Sequence, residues 1–235
     1  MRRGGLARAG GPGSCGWVVC AAAVCGLACG IVGYDISQRA LILDPVEQVV
    51  FDSDRGAVEV YAFKRTAISI LYHVVGFDTS IVDVGQELDG DVLRATILCD
   101  DDDICSADWY AEVPLGTAIA VGMREGGLKL TGVDAEVKAE VVAGDVDGVA
   151  LGSPKFALTV EAGAVTLAWA VAPTSVVVAV GAGDVALTVP AGSYRCALTA
   201  RAGAAAVDGV VCDEAAAASL EITVQTGDIR VQGAA

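Results

Sequence analysis

Apolar residues recur through the second half of the chain in a fixed relation to single glycines. Six glycines lie 18 to 24 residues apart and serve as reference points: Gly126, Gly144, Gly163, Gly183, Gly203 and Gly227. Positions 7, 5 and 3 before each glycine, and 2 and 4 after it, are apolar in 29 of 30 cases, although only 54% of the chain is hydrophobic. This excess over composition indicates a structural repeat of about 20 residues.

The spacing within each unit predicts two short strands that meet at the glycine. Three apolar residues at every second position make a strand with one buried face. The next apolar residue follows after an odd step of five, so a straight strand would turn its second half outward. We therefore expect a bend or bulge at the glycine, which accepts positive φ and close packing. Asp145, Asp184 and Asp228 directly follow their glycines, where a short acceptor side chain can bond nearby backbone amides.

Each unit is too small to have its own core, so the units must stack to bury a continuous apolar column. We predict an all-β protein in which residues 113–235 form a β-solenoid with rungs of about 20 residues. A β-sandwich is the alternative, because short strands with regular turns also fit it. The template recurs once upstream at Gly56, with Ser53 as the exception. Residues 30–112 are expected to form an irregular N-terminal cap that protects the strand edge.

The N-terminal residues carry an export pattern. Residues 1–14 contain three arginines and no acid, and residues 17–32 contain no charge at all. This order predicts a signal peptide or a membrane-anchoring helix over residues 1–29. The apolar run is shorter than the roughly 20 residues of a spanning helix, which favours a signal peptide. The stretch Gly26-Leu27-Ala28-Cys29 resembles a bacterial lipobox, so Cys29 is a candidate for lipidation. We expect an exported protein of the cell envelope, in the periplasm, at the outer membrane or on the cell surface, attached to the membrane through its N-terminus.

Four cysteines follow this segment: Cys99, Cys105, Cys196 and Cys212. An even number of cysteines in an exported chain predicts disulfides. We expect Cys99 to pair with Cys105 and Cys196 with Cys212, although four cysteines allow three connectivities. A zinc site is the alternative, but the spacings are not those of a CxxC motif and the one histidine, His73, lies in an unrelated stretch.

One dense acidic cluster, Asp100-Asp101-Asp102-Asp103, is a candidate calcium site because Ca²⁺ takes six to eight oxygen ligands. Consecutive side chains point in different directions and the EF-hand spacing is absent, so a solvated loop is the favoured interpretation.

No cofactor is predicted. The net charge of −15 and the lack of a basic patch after residue 10 argue against nucleic-acid binding. The chain has no P-loop, GxGxxG or HExxH motif, and its single histidine suits a surface position. We predict no catalytic residues and no enzymatic activity.

Short motifs connect the chain with a known family. Gly-Asp-hydrophobic corners recur in phase, and Val-Pro-x-Gly occurs at Val113–Gly116 and at Val189–Gly192. In these features the chain resembles the DUF4097 family of bacterial β-strand-repeat proteins, often labelled adhesins. The resemblance covers roughly residues 45–233. It implies a β-solenoid in the bacterial envelope or at the cell surface, and it transfers no catalytic residue.

These observations favour a non-enzymatic module with a structural, adhesive or interaction role. One alternative is a periplasmic partner of an envelope-stress or signalling system, and another is a Ca²⁺-dependent glycan-binding protein that uses Asp100–Asp103. The protein or glycan partner is not identified by the sequence. Aromatic residues make up only 5% of the chain, which weighs against a sugar-binding platform.

Overall fold

The computed structural model describes residues 34–42, 46–76, 82–99 and 105–234, and every regular element in those ranges is a β-strand. The prediction of an all-β protein is confirmed. The predicted signal or anchor segment (residues 1–29, with Cys29) and the acidic run Asp100–Asp103 lie outside the described residues. The described strands are β1 (Tyr34–Ile42), β2 (Gln48–Arg55), β3 (Val58–Phe63), β4 (Ile68–Gly76), β5 (Val82–Asp89), β6 (Val92–Cys99), β7 (Cys105–Pro114), β8 (Ala118–Glu125), β9 (Leu128–Thr131), β10 (Val137–Ala143), β11 (Val146–Leu151), β12 (Lys155–Ala162), β13 (Val165–Trp169), β14 (Ser175–Ala182), β15 (Val185–Pro190), β16 (Ser193–Ala202), β17 (Ala205–Asp208), β18 (Val211–Cys212), β19 (Ser219–Thr226) and β20 (Ile229–Ala234).

The strands form two ten-stranded sheets. Sheet 1 has the order β1-β4-β7-β3-β9-β11-β13-β15-β20-β17, and sheet 2 has the order β18-β16-β19-β14-β12-β10-β8-β2-β6-β5. Each repeat unit gives its first strand to sheet 2 and its second to sheet 1, and we call this two-strand unit a rung. Neighbouring rungs pair in parallel, and their register follows the sequence template. For example, Ile119, Val137 and Phe156, each seven residues before a template glycine, lie side by side.

The apolar core lies between the two sheets. In five of the six template units, every apolar template residue is at most 4% exposed. Aromatic rings meet edge-on across the two sheets, where Phe51 lies 6.0 Å from Trp109 and Phe156 lies 5.4 Å from Trp169, measured between ring centroids. Burial of one face of every strand supplies the apolar contact that holds the sheets together.

The template glycines stack in a column at the corner between the two strands of each rung. All six have φ between 137° and 155°. A Cβ on Gly144 would lie 1.7 Å from the carbonyl oxygen of Gly126, and a Cβ on Gly163 would lie 1.9 Å from that of Gly144. Both the conformation and the close approach of the backbones therefore require glycine in this column.

Aspartates beside the glycine column connect neighbouring rungs. The Asp145 Oδ1 atom accepts a hydrogen bond from the Ala164 amide at 2.8 Å, and Asp184 Oδ1 accepts one from the Asp228 amide at 2.8 Å. Asp228 Oδ1 in turn accepts a hydrogen bond from the Ala204 amide at 2.9 Å. Each of these amides directly follows a template glycine, so the carboxylates satisfy backbone donors that the bend leaves without a strand partner.

The rungs are not stacked in chain order at the ends. The C-terminal rung β19–β20 lies between β14–β15 and β16–β17. At the opposite end, the rung β2–β3, which contains Gly56, lies between β6–β7 and β8–β9. The Gly56 unit is therefore an interior rung. The antiparallel strands β1, β4 and β5 close this N-terminal end of the stack.

Side-chain size gives the physical reason for the position of the last rung. The inward residues of β19–β20 are large and fully buried: Leu220, Ile222, Val224, Ile229 and Val231. The equivalent residues of β16–β17 are mostly smaller and are half-buried or exposed: Cys196, Leu198, Ala200, Ala205 and Val207. A rung at the end of the stack is covered from one side only, so placing the smaller side chains there leaves less apolar area in water.

Candidate functional site

Cys196 and Cys212 form a disulfide, with a Cα–Cα distance of 5.4 Å. The bond ties β18 to β16 at the end of the stack that the Gly203 rung forms. The segment that it closes includes most of β16 and all of β17, so the bond ties together the terminal rung, and its role there is structural. Cys99 ends β6 and Cys105 begins β7, but their side chains lie outside the described residues.

Of the other candidates from the sequence, His73 belongs to the described residues, whereas Asp100–Asp103 do not. His73 is half-buried on β4, where its register neighbours are Ser37 on β1 and Asp108 on β7. Among the described residues, no three His, Cys, Asp or Glu side chains come together as a metal-binding group. The same residues include no helix long and apolar enough to cross a membrane.

An aromatic cluster lies on the outer face of sheet 1, where β3, β7 and β9 run side by side. We call it the aromatic patch, and it consists of three rings and four charged neighbours: Tyr61, Phe63, Tyr110, Glu59, Arg65, Glu112 and Lys129. Strand alternation explains its position. Val58 and Val60 point into the core, so the residues between and after them on β3 point outward.

The rings of the patch lie close together, and one of them is exposed to solvent. The Tyr61 and Phe63 rings are nearly parallel, with an interplanar angle of 6° and centroids 6.4 Å apart. Tyr110, on the neighbouring strand, lies 4.9 Å from Tyr61 at an interplanar angle of 33°. Phe63 is 47% exposed, which is high for a phenylalanine. Tyr61 and Tyr110 are half-buried, so Phe63 presents most of the apolar surface of the patch to solvent.

Charged groups around the rings are held by one another. The Tyr61 hydroxyl donates a hydrogen bond to Glu59, whose Oε2 atom lies 3.8 Å from Lys129 Nζ. Lys129 Nζ is also 5.7 Å from the centroid of the Tyr61 ring, within reach of a cation–π contact. Arg65 forms an ion pair with Glu112. The two carboxylates and two cations of the patch balance, and Asp147 on β11 lies beside Lys129 in the strand register, so the surroundings of the rings carry no excess of positive charge.

The polar contacts perturb the titration of the patch. The hydrogen bond to Glu59, followed by burial, raises the pKa of Tyr61 above its ordinary value. The pKa of Lys129 is raised by its contacts with Tyr61 and Glu59. The phenol and the ammonium group therefore keep their protons to a higher pH than the free side chains do.

None of these patch residues was identified by the sequence analysis, because the aromatic count of the whole chain is low. Nine aromatic side chains belong to the described residues. Six of them are buried in the core or packed against it, and all three that remain lie in the patch. The sequence feature that could have predicted the patch is the presence of aromatic residues at outward positions of β3 and β7. These strands are separated by more than 40 residues in sequence, so their pairing was not evident.

The outer face of sheet 2 offers a second, weaker candidate. A shallow groove of about 360 Å³ crosses it and is lined mostly by small side chains, among them Ala120, Gly122, Ala157 and Ala179. The groove contains few directional polar groups, and nothing in the described residues indicates what would cover it. The aromatic patch is therefore the better-defined site.

The described chain is an all-β repeat protein with two largely parallel sheets and a charge-balanced aromatic patch on one outer face. No family model matches the chain, and no curated protein matches it. Among solved structures, the chain is similar to a putative cell adhesion protein from Clostridium sporogenes, with 10% identity and a TM-score of 0.48 over 85% of this chain and 100% of the other.

A putative adhesin from Parabacteroides distasonis is 11% identical, with a TM-score of 0.45 over 84% of this chain and 97% of the other. A putative lipid binding protein from the same organism is 8% identical, with a TM-score of 0.33 over 86% and 97% of the two chains. At these identities and scores the similarity carries no argument about the function of this chain. Membership of the DUF4097 family stays a prediction.

Proposed function

We propose that this chain is an exported, envelope-anchored, non-enzymatic β-solenoid that acts as an adhesive or interaction module. The aromatic patch is the observation that carries the proposal. Exposed rings supply contact area at a low cost in side-chain entropy, and tyrosine is enriched where proteins meet their partners. The patch lies on a regular sheet whose strands are paired on both sides, so the contact surface is preorganised.

Two features support export. The Cys196–Cys212 disulfide is of a kind that persists in oxidising compartments and is rare in the cytosol. The basic and then apolar order of residues 1–32 has the pattern of an export signal. Attachment to the membrane through a lipidated Cys29 follows from the lipobox resemblance and is part of the proposal.

We assign no catalytic step to the patch. Its acids and bases are engaged with one another, as in the contacts of Glu59 with Lys129 and of Glu112 with Arg65. General acid–base catalysis needs a group positioned to exchange a proton with a bound substrate. The arrangement of the patch suits recognition, in which fixed donors and acceptors surround an apolar contact.

The test is made on bacterial cells that express the full chain. Intact and lysed cells are treated with protease and immunoblotted for residues 113–235, and expressing cells are tested for co-sedimentation with non-expressing cells. We expect loss of the repeat signal from intact cells and co-sedimentation that falls in the Phe63→Ala variant. Val142→Ala is the matched control, because Val142 is 43% exposed on β10 of the other sheet and does not line the groove there.

Survival of the repeat region until lysis would refute surface display and direct the search to periplasmic partners. Co-sedimentation that is equal in Phe63→Ala, Val142→Ala and the unchanged chain would refute a role for the patch in adhesion.

A further inference from the structure

The rings of the aromatic patch offer flat apolar faces rather than a deep cavity. Phe63 is the most exposed of them, and the half-buried Tyr61 ring is stacked against it. A pyranose ring has one face made of C–H groups and a rim of hydroxyls. Such a ring can lie on an aromatic face through apolar contact while its hydroxyls remain free to form hydrogen bonds.

The border of the patch matches the hydroxyl rim. Carboxylate oxygens of Glu59 and Glu112 accept hydrogen bonds, whereas Arg65 and Lys129 donate them. Because each acid is already held beside a base, these groups are oriented before a ligand arrives. Two neighbouring hydroxyls of a sugar can each donate and accept a hydrogen bond. One hydroxyl can therefore donate to the carboxylate while the other accepts from the adjacent cation, and the sugar needs no net charge.

Charge distinguishes a neutral ligand from an acidic one. The patch carries two carboxylates and two cations, and the whole chain has a net charge of −15. A polyanionic glycan would approach against the field of the protein and would find no excess of positive charge at the site. A neutral sugar is attracted by the rings and the hydrogen-bonding groups, and it is not repelled.

We infer that the aromatic patch is a calcium-independent binding site for neutral pyranose units of a glycan. The inference rests on the proposed interaction function and adds the chemical class of the ligand. It concerns different residues from the acidic run Asp100–Asp103 and makes no use of a metal ion.

The experiment is affinity electrophoresis of the full chain through gels that contain a neutral glucan, a neutral mannan or an acidic polysaccharide. The protein is purified in a detergent without a sugar headgroup, and each gel is run with chelator and with added Ca²⁺. We expect retardation by at least one neutral polysaccharide, equal in both conditions. Phe63→Ala should weaken it by about tenfold, the upper range for loss of one aromatic contact.

Two further variants separate binding from folding. Phe63→Trp keeps an aromatic face and is expected to retain retardation, while Val142→Ala should behave as the unchanged chain does. No retardation by any neutral polysaccharide, or retardation that Phe63→Ala leaves unchanged, overturns the glycan inference. If cells still lose co-sedimentation in Phe63→Ala while no neutral polysaccharide binds, the interaction function stands and the ligand class is wrong.

Discussion

The corner glycine Gly144 provides the sharpest test of the stacked architecture. Its φ is 153°, a conformation that side-chain-bearing residues rarely adopt. A Cβ at this position would lie 1.7 Å from the carbonyl oxygen and 2.6 Å from the carbonyl carbon of Gly126. These are backbone atoms of the adjacent rung, so no rotation of a flexible side chain can relieve the overlap.

The cost of Gly144→Ala has two sources. Holding alanine in a glycine-only conformation costs about 1–3 kcal/mol, and forcing the rungs apart costs about 1–3 kcal/mol as overpacking does in a core. We expect the free energy of unfolding to fall by roughly 3 kcal/mol or more. In a domain of this size that corresponds to a decrease in Tm of roughly 6–12 °C.

Gly127 supplies the matched control one rung away. Gly127 directly follows a corner glycine, and an added Cβ there would have the Asp145 carbonyl oxygen, at 3.9 Å, as its nearest neighbour. In other rungs the same position is occupied by Ala57 and Ala164. Gly127→Ala should change stability by no more than about 0.5–1 kcal/mol. Urea unfolding of both variants, followed by far-ultraviolet circular dichroism, makes the comparison. Equal midpoints for Gly144→Ala and Gly127→Ala would show that the rungs do not approach each other as described.

Three further outcomes can be measured in the same way. Replacing both Cys196 and Cys212 by serine should lower stability by about 3 kcal/mol, the entropy of closing a loop of this length, and an unchanged urea midpoint under non-reducing conditions would contradict it. Asp145→Ala removes the acceptor of the Ala164 amide and should cost about 0.5–1.5 kcal/mol, with Asp208→Ala, an exposed aspartate outside the corners, as the control. Because the pKa of Tyr61 is raised above its ordinary value of 10.0, the phenol contributes stability below pH 10 that is lost as the pH rises through the folded-state pKa. Urea titrations at rising pH should therefore show a smaller alkaline loss for Tyr61→Phe, and an identical loss in both proteins would refute the assignment.

Local physics explains why the repeat could be recognised without coordinates. Inward and outward positions alternate along every strand, and only glycine fits the corner, so each rung repeats the same pattern of residue types. The template positions coincide with the observed register, as Val137 beside Ile119 shows. The corner aspartates were likewise expected to bond backbone amides, and the structure shows that those amides belong to the neighbouring rung.

The aromatic patch could not be found by the same reasoning. Tyr61 and Tyr110 are 49 residues apart in the chain and become neighbours only because β3 and β7 pair. A low aromatic content suggested that a platform was absent, but a patch depends on where the rings gather and not on their total number. The pairing of Arg65 with Glu112 depends on the same two strands.

The all-β class, the two-strand rung of about 20 residues and the glycine corner can be predicted from the amino-acid sequence, because each follows from constraints within one rung or between equivalent rungs. The order of the rungs and the composition of the outer faces depend on how the whole chain packs. Every rung can pair with every other through the same backbone hydrogen bonds, so the template cannot specify which rung lies at an end. The position of each rung depends on the total apolar area left in water. The smaller side chains of β16–β17 therefore lie at the end of the stack, and the larger side chains of β19–β20 lie inside it.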